Sequence, residues 1–429
     1  MTDEEIFERV RKLLKDNMET GGGKNKPDFH FTRPAPDKYP FQFFWDTCFH
    51  VFIFCALQEH DMAKRHIKSL FALQQKDGFV GHMIFWDHLR PGRLTDFLQT
   101  KPKLSNLYKS HMSSLIQPPI VAQAVERIYN ESGDKEFLIE ILPKLKRYYN
   151  WLSENRALKG EKLLTIISPF ESGMDWKPTF DKALGFEPKK ANRKLFFKVI
   201  GVDLKNFLLN YNLKKIYKKE YFLVKEVGFN TIYAQNLQTM ANLCEICQDA
   251  DEKIYRLLSK QVIQDILKFT YNEEDAAFYD CYGKNNEQIK IKTPTIFYPL
   301  ILDDIPKEIV NKVVKTHLLN SKEFQVPYPI PSLAKNEKAF DVEESIYIWR
   351  GPTWIVNNWF LFKFLKEKQY KEEADRLIKS IRELIQKSGF REYYNPLTGE
   401  GYGAKDFTWA GLIVDMIKTK RENDGQQSD

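Results

Sequence analysis

The sequence predicts an all-α protein. Apolar residues recur at helical spacing along most of the 429 residues. No alternating strand–helix series suggests a parallel sheet, and no linker-like stretch divides the chain before its tail. In chain order the spacing predicts helices over 4–18, 46–59, 61–76, 119–131, 135–154, 203–218, 229–249, 251–270, 306–319, 352–367, 370–388 and 406–418. The third opens on Asp61, an N-cap type, and stops at Asp77-Gly78. The eighth carries Ile254, Leu257, Leu258, Val262, Ile266 and Leu267 at i, i+3 and i+4 steps. Twelve helices in antiparallel pairs suit a closed double ring, an (α/α)6 barrel. Periodicity supplies the helices and leaves the ring open.

Between the helices lie long loops rich in Pro, Gly and aromatics: 20–45, 77–118, 155–202, 271–305, 321–351 and 389–405. Loops of that length in a compact domain are usually functional or disordered, and their aromatic content argues against disorder. One domain over 1–420 is therefore expected, with a flexible tail over 421–429 that starts at Arg421. Segment 181–225 stands apart, with lysines such as Lys189, Lys190, Lys194, Lys198 and Lys205 among Phe196, Phe197, Phe207, Tyr211 and Tyr217. It reads either as a solvated amphipathic excursion or as a lid over a site.

Composition narrows the class. A hydrophobic content of 43% with 14% aromatics is ample for a packed core and excludes global disorder. The net charge of +7 is dispersed, and no basic motif of a nucleic-acid binder is present. The five cysteines, Cys48, Cys55, Cys244, Cys247 and Cys281, are an odd count in a chain too large to need disulfides. Cys244 and Cys247 have CxxC spacing inside a helical pattern without a second pair, so buried reduced thiols are expected rather than zinc. The acidic N-terminus lacks a secretory apolar stretch, and no run of about eighteen apolar residues would cross a membrane. A cytoplasmic protein without metal, cofactor, nucleic-acid or membrane partner is expected. Walker, GxGxxG and HExxH patterns are missing, so nucleotide and zinc-peptidase chemistry lack support.

Two segments carry chemistry. Glu171-Ser172-Gly173-Met174-Asp175 and Arg391-Glu392-Tyr393-Tyr394-Asn395-Pro396 each set a carboxylate among aromatics, glycine or proline. Apolar surroundings raise a carboxyl pKa and hold a proton for delivery. Glycosidic bond cleavage needs two carboxyl groups, one acid and one base or nucleophile. Asp175 and Glu392 are the candidate pair. Glu171 is either a second acid in the cleft or a structural acceptor, with the structural role favoured. Three further loops hold sugar-type groups: Phe44-Trp45-Asp46-Thr47, Gln117-Pro118-Pro119 and Trp349-Arg350-Gly351-Pro352-Thr353-Trp354. Trp45 offers a stacking face and Asp46 accepts from hydroxyls, unless Asp46 merely N-caps its helix. His82 is a hydroxyl partner or a core histidine, and Trp409 reads as core.

Taken together, these stretches resemble glycoside hydrolase family 63, in its branch of mannosylglycerate and glucosylglycerate hydrolases, from about Phe41 to Trp409. The resemblance implies an (α/α)6 barrel and an inverting hydrolase of small α-linked glucosyl or mannosyl substrates. It implies Asp175 as general acid and Glu392 as general base, roughly 6.5–9.5 Å apart to admit the attacking water. It also implies a sugar pocket drawing on Tyr39, Phe43, Trp45, Asp46, His82, Gln117, Gly173, Trp176, Trp349, Gly351, Trp354 and Lys405, with Arg350 orienting Glu392 or another acid. Mannosylglycerate or glucosylglycerate is the expected substrate, and a homo-oligomer is compatible with the reading. An α-glucosidase of neutral sugars and a silent sugar-binding barrel are the alternatives. The sequence departs from the family at Phe43, at Trp176-Lys177 where Asn-Ser is common, and at Ile348 where Tyr is common. Lys177 and Lys405 either pair with an acidic aglycone or are solvated.

Overall fold

The computed structural model describes residues 1–24, 26–86, 94–158, 160–189, 193–343 and 348–426. Lys190 and tail residues 427–429, named above, lie outside the described residues. Twelve helical segments alternate between an outer and an inner ring. The outer ones are Asp3–Asp16, His60–Leu70, Lys135–Arg156, Glu252–Thr270, Lys307–Val313 with the π-helical turn Val314–Leu318, and Lys371–Ser388. The inner ones are Phe44–Ala56, Val121–Ser132, Val227–Ile246, Pro294–Ile301, Ile355–Glu367, and Thr408–Leu412 running into Ile413–Gln426. Each inner segment packs on the next, and Thr408–Leu412 returns to Phe44–Ala56, so the ring closes. This is the (α/α)6 barrel.

Apolar patterning sorts the rings. All 13 residues of Phe44–Ala56 are buried, as a helix apolar all round must be. Lys371–Ser388 instead buries the stripe Ala374, Leu377, Ile378, Ile381, Leu384 and Ile385 and gives its charged face to solvent. Local signals fix several ends. Thr2 and Glu5 form a capping box at the first helix, Asp134 accepts from the Phe137 amide at 2.9 Å, and Gly133 stops the preceding helix at φ +66°.

The fold departs from expectation in three places. The fourth inner segment, Pro294–Ile301, falls within the expected loop 271–305. Pro294 and Pro299 bar a regular α-helix, and the segment forms a 3-10 helix that buries Pro294 through Leu300. The expected helix 203–218 is two helices, Arg193–Leu208 and Leu213–Lys219, broken where Asn210 and Tyr211 take φ of 51° and 50°. The last helix continues to Gln426, into the tail expected to be flexible, and Arg421 ties it to Asp3 at 2.6 Å.

Among the described residues, five small sheets of two or three strands brace the loops. Two bear on the site: Gln42–Phe43, Met83–Phe85 and His111–Met112 form one, and the hairpin Arg391–Tyr394 with Gly401–Lys405 forms the other. Segment 181–225 is anchored rather than free-standing. Its buried Asp203 accepts from Ser168 at 2.7 Å and Gln99 at 3.1 Å, and Tyr211 donates to the Leu98 carbonyl at 2.6 Å. All five cysteines are free, and four are buried.

Candidate active site

A cavity of about 160 Å³ is walled by residues from most of the inter-helix loops. Its floor begins at the inner helix Phe44–Ala56. The first amides of that helix lack helical partners and find distant ones: the His82 carbonyl accepts from Phe44 at 2.9 Å, and the Gln117 side chain accepts from Trp45 at 3.0 Å. Phe43 is the N-cap residue, so Asp46 stands inside the first turn and is not the cap. Asp46 instead accepts the indole N–H of Trp409 at 2.6 Å. Burial pushes its pKa up to about 7, against the opposing pull of that hydrogen bond.

Loop Glu171–Asp175 is rigidly seated. Glu171 is fully buried; the Arg156 guanidinium grips both its oxygens, at 2.9 and 2.5 Å, and it accepts from the amides of Ile116 (2.9 Å) and Ile167 (2.7 Å). Its role is structural, as favoured. Gly173 has φ +71° and lies on the Trp45 indole, where a Cβ would overlap the ring. Asp175 emerges into the cavity two residues later. Burial pushes its pKa up to about 7, with the charges of Asp203 and Asp46 adding to the shift and Lys38 opposing it.

Glu392, on strand Arg391–Tyr394, has the opposite environment. It is buried behind Tyr39, whose hydroxyl donates to Oε1 at 2.6 Å. The Lys38 ammonium donates to both oxygens, at 3.0 and 2.8 Å, and the Ala404 amide donates to Oε2 at 2.8 Å. Gly403, at φ +67°, lets that amide approach, since a Cβ there would strike the carboxylate. Burial lifts the Tyr39 pKa well above the usual phenol value, reinforced by the charges of Glu392, Asp175 and Asp46. Three carboxyl groups from the two ends and the middle of the chain thus act on one hydroxyl.

The aromatic wall is Trp349 stacked on Trp354, with ring centroids 3.8 Å apart and planes within 11°; Tyr393 continues the stack at 5.2 Å. His82, bonded through Nδ1 to the Ser113 hydroxyl at 2.7 Å, also faces the cavity. Burial drives its pKa down to about 3, so it is a neutral imidazole.

Of the expected site residues, Tyr39, Phe43, Trp45, Asp46, His82, Gln117, Gly173, Asp175, Trp349 and Trp354 line the cavity. Three do not. Trp176 packs on Phe196 (6.0 Å) and Phe170 (6.3 Å), tying the acid loop to helix Arg193–Leu208. Gly351 lies behind the tryptophan wall, its amide on Ser332 at 3.0 Å and its Cα too close to the Asp341 carbonyl for a side chain. Lys405 is exposed and lines a separate outer groove. Lys177 is buried between Glu226 and Asp280, so it is neither solvated nor free for an aglycone. Arg350 orients another acid: its guanidinium pairs with Asp181 at 2.8 and 2.6 Å.

Sequence reasoning assigned Trp409 to the core and passed over Lys38, Asp96, Gln99, Phe170 and Phe407. Lys38 carried a signal, since it adjoins Tyr39; the others come from loops whose path no local pattern gives.

The family described as the mannosylglycerate hydrolase MGH1-like glycoside hydrolase domain matches residues 39–410. The chain belongs to that family. It is a glycoside hydrolase by that membership. The mannosylglycerate hydrolase MGH1 of Selaginella moellendorffii is 28% identical over 95% of this chain and 84% of its own length. The mannosylglycerate hydrolase of Thermus thermophilus is 26% identical over 90% of this chain and 95% of its own. The crystal structure of a family 63 mannosylglycerate hydrolase from Thermus thermophilus, in complex with Tris, shares the fold at a TM-score of 0.81 and 24% identity. The match covers 96% of this chain and 99% of the crystallised one. Among the described residues no cluster of His, Cys, Asp or Glu is arranged to hold a metal, and no helix is long and apolar enough to cross a membrane.

Proposed function

We propose that this chain is an inverting α-glycosidase of a small α-linked glucosyl or mannosyl substrate, with mannosylglycerate or glucosylglycerate the leading candidates. The carrying observation is that one cavity is lined by Asp175 and backed, through the Tyr39 hydroxyl, by Glu392, the two carboxyls being held in opposite ways. Asp175 is stripped of solvation and keeps its proton to about pH 7, whereas Glu392 bears an ammonium on both oxygens. This contrast supports Asp175 as the acid and Glu392 as the base. Asp175 protonates the departing glycosidic oxygen, and Glu392 takes a proton from the water that attacks the other face of the sugar. Trp45, Trp349 and Trp354 supply apolar faces, while Asp46, Gln117 and His82 direct hydroxyls. Residues 1–420 act as one catalytic domain, with 181–225 roofing the site through Asp203, Tyr211 and the Trp176–Phe196 contact. Five free thiols in a chain of this size support a reducing, cytoplasmic setting.

A second reading has its own support. Neither Lys177 nor Lys405 reaches the cavity, and among its described lining residues there is no lysine or arginine to hold an aglycone carboxylate. That favours an α-glucosidase releasing a neutral sugar. One experiment tests both: hydrolysis of mannosylglycerate, glucosylglycerate, trehalose, kojibiose and maltose, with the first-released anomer followed by NMR. A glycerate glycoside turned over with β-anomer first is the expected result. Turnover of neutral disaccharides alone moves the assignment to the second reading, and α-anomer first overturns inversion. Binding without any turnover would mark a silent sugar-binding barrel.

A further inference from the structure

Glu392 occupies a partition between two spaces. On one side Tyr39 separates it from the cavity. On the other lies an outer groove of about 780 Å³, lined by Lys38 and Ala404 together with Asp37, Phe390, Lys405 and Asp406. The donors on the carboxylate come from both sides. Oε1 takes Tyr39 and Lys38, and Oε2 takes Lys38 and the Ala404 amide. A carboxylate offers about four lone-pair directions on two oxygens, so this set fixes its rotation. Lys38 supplies two of the four contacts and the positive charge, while its own side chain stays 45% exposed in the groove.

We propose that Lys38 is the positioning residue for Glu392 as base: its ammonium bonds both carboxylate oxygens and fixes their rotation behind Tyr39. This rests on the assignment of Glu392 as base. Nothing in the cavity wall needs Lys38 for sugar contact, since it lines the groove and not the cavity. Its loss therefore falls on turnover and spares substrate affinity.

The test uses the full chain and whichever of mannosylglycerate, glucosylglycerate, trehalose, kojibiose or maltose the parent hydrolyses. Lys38→Met should lower kcat about a hundredfold, within the range of acid–base contributions, and leave KM within about threefold. Lys38→Arg, which keeps a donor fork and the charge, should stay within about tenfold of the parent. In Lys38→Ala the groove gives access to added propylammonium, which should raise kcat about tenfold or more while leaving the parent unaffected. A purely structural lysine would show no such rescue. A folded Lys38→Met enzyme with kcat within about threefold of the parent, or above it, overturns the proposal. So does an Ala variant that the amine cannot restore. Glu392→Gln is measured alongside. Turnover in that variant overturns the base assignment itself, whereas an inert Glu392→Gln beside an active Lys38→Met overturns the role of Lys38 alone.

Discussion

Replacing Asp175 by Asn should remove turnover and stabilise the protein at the same time, and the two effects share one cause. Burial moves the Asp175 pKa from 3.8 to about 7. A shift of that size corresponds to about 4 kcal/mol between the two protonation states. Asp175 retains some exposure to the cavity, so about 2–4 kcal/mol is the range to expect in stability. The sign follows from proton uptake. Between pH 3.8 and about 7 the folded state binds a proton that the unfolded state has released, so stability falls as pH rises through that window and the full cost stands above it. Asn has no charge to bury. The Asp175→Asn variant should therefore melt higher than the parent at pH 8, and the gap should close below about pH 4. Its kcat should drop by about 10²–10⁴, the usual share of a general acid. In the parent, kcat should fall about tenfold per pH unit above about 7 as Asp175 loses its proton. Thermal denaturation and steady-state rates from pH 4 to 9 read both effects. A variant that melts lower than the parent at pH 8, or turns over within about tenfold of it, would refute the assignment.

Three other outcomes follow from the same geometry. Trp409→Phe removes the donor to Asp46 Oδ1 and leaves a buried acceptor unpaired, at a cost of about 1–3 kcal/mol; a rise of KM of about tenfold, with kcat less affected, is the expected reading in initial-rate kinetics. Arg156→Met strands the buried Glu171 carboxylate and should cost about 3–5 kcal/mol in denaturant unfolding, with activity falling because the acid loop loses its anchor. His66 and His82 have pKa values driven down to about 3, so each is neutral in the fold but protonates near 6.5 when unfolded. Stability should fall as pH drops from about 6.5 towards 3, by about 1.4 kcal/mol per unit for each histidine. Acid unfolding of His66→Gln, which lacks one such proton, should show a shallower slope.

What the sequence disclosed divides along physical lines. Helices announced themselves wherever one face was apolar, as in Lys371–Ser388, because the 3.6-residue period is a local property. The inner segment Pro294–Ile301 did not, because its two prolines and uniformly apolar composition erase any period. The candidate acid and base could be picked out because their neighbours form long specific motifs. Trp409 is in the core, as the sequence suggested, at 6% exposure, yet it also lines the cavity and its indole N–H meets Asp46. Burial and site membership coincide here, so composition could not separate them. Lys177 and Lys405 show the reverse failure, since sequence adjacency to a catalytic motif does not say whether a lysine points into the core or away from it.

The contrast between ring and roof bears on which half of the substrate is most firmly defined. The sugar side is built from the first turn of an inner helix, a stacked tryptophan pair and loops pinned by buried ion pairs, all fixed by the barrel. The opposite side runs through Trp176 to Phe196 and through Arg350 to Asp181, and so depends on how segment 181–225 is seated. Of the positions that depart from the family pattern, Trp176 packs on that segment and Ile348 lines the cavity beside Trp349. Under the proposed assignment, change at those positions should alter which leaving group is accepted while sparing the partners that hold Glu392. On that proposal the reaction type belongs to the ring and the choice of aglycone to segment 181–225.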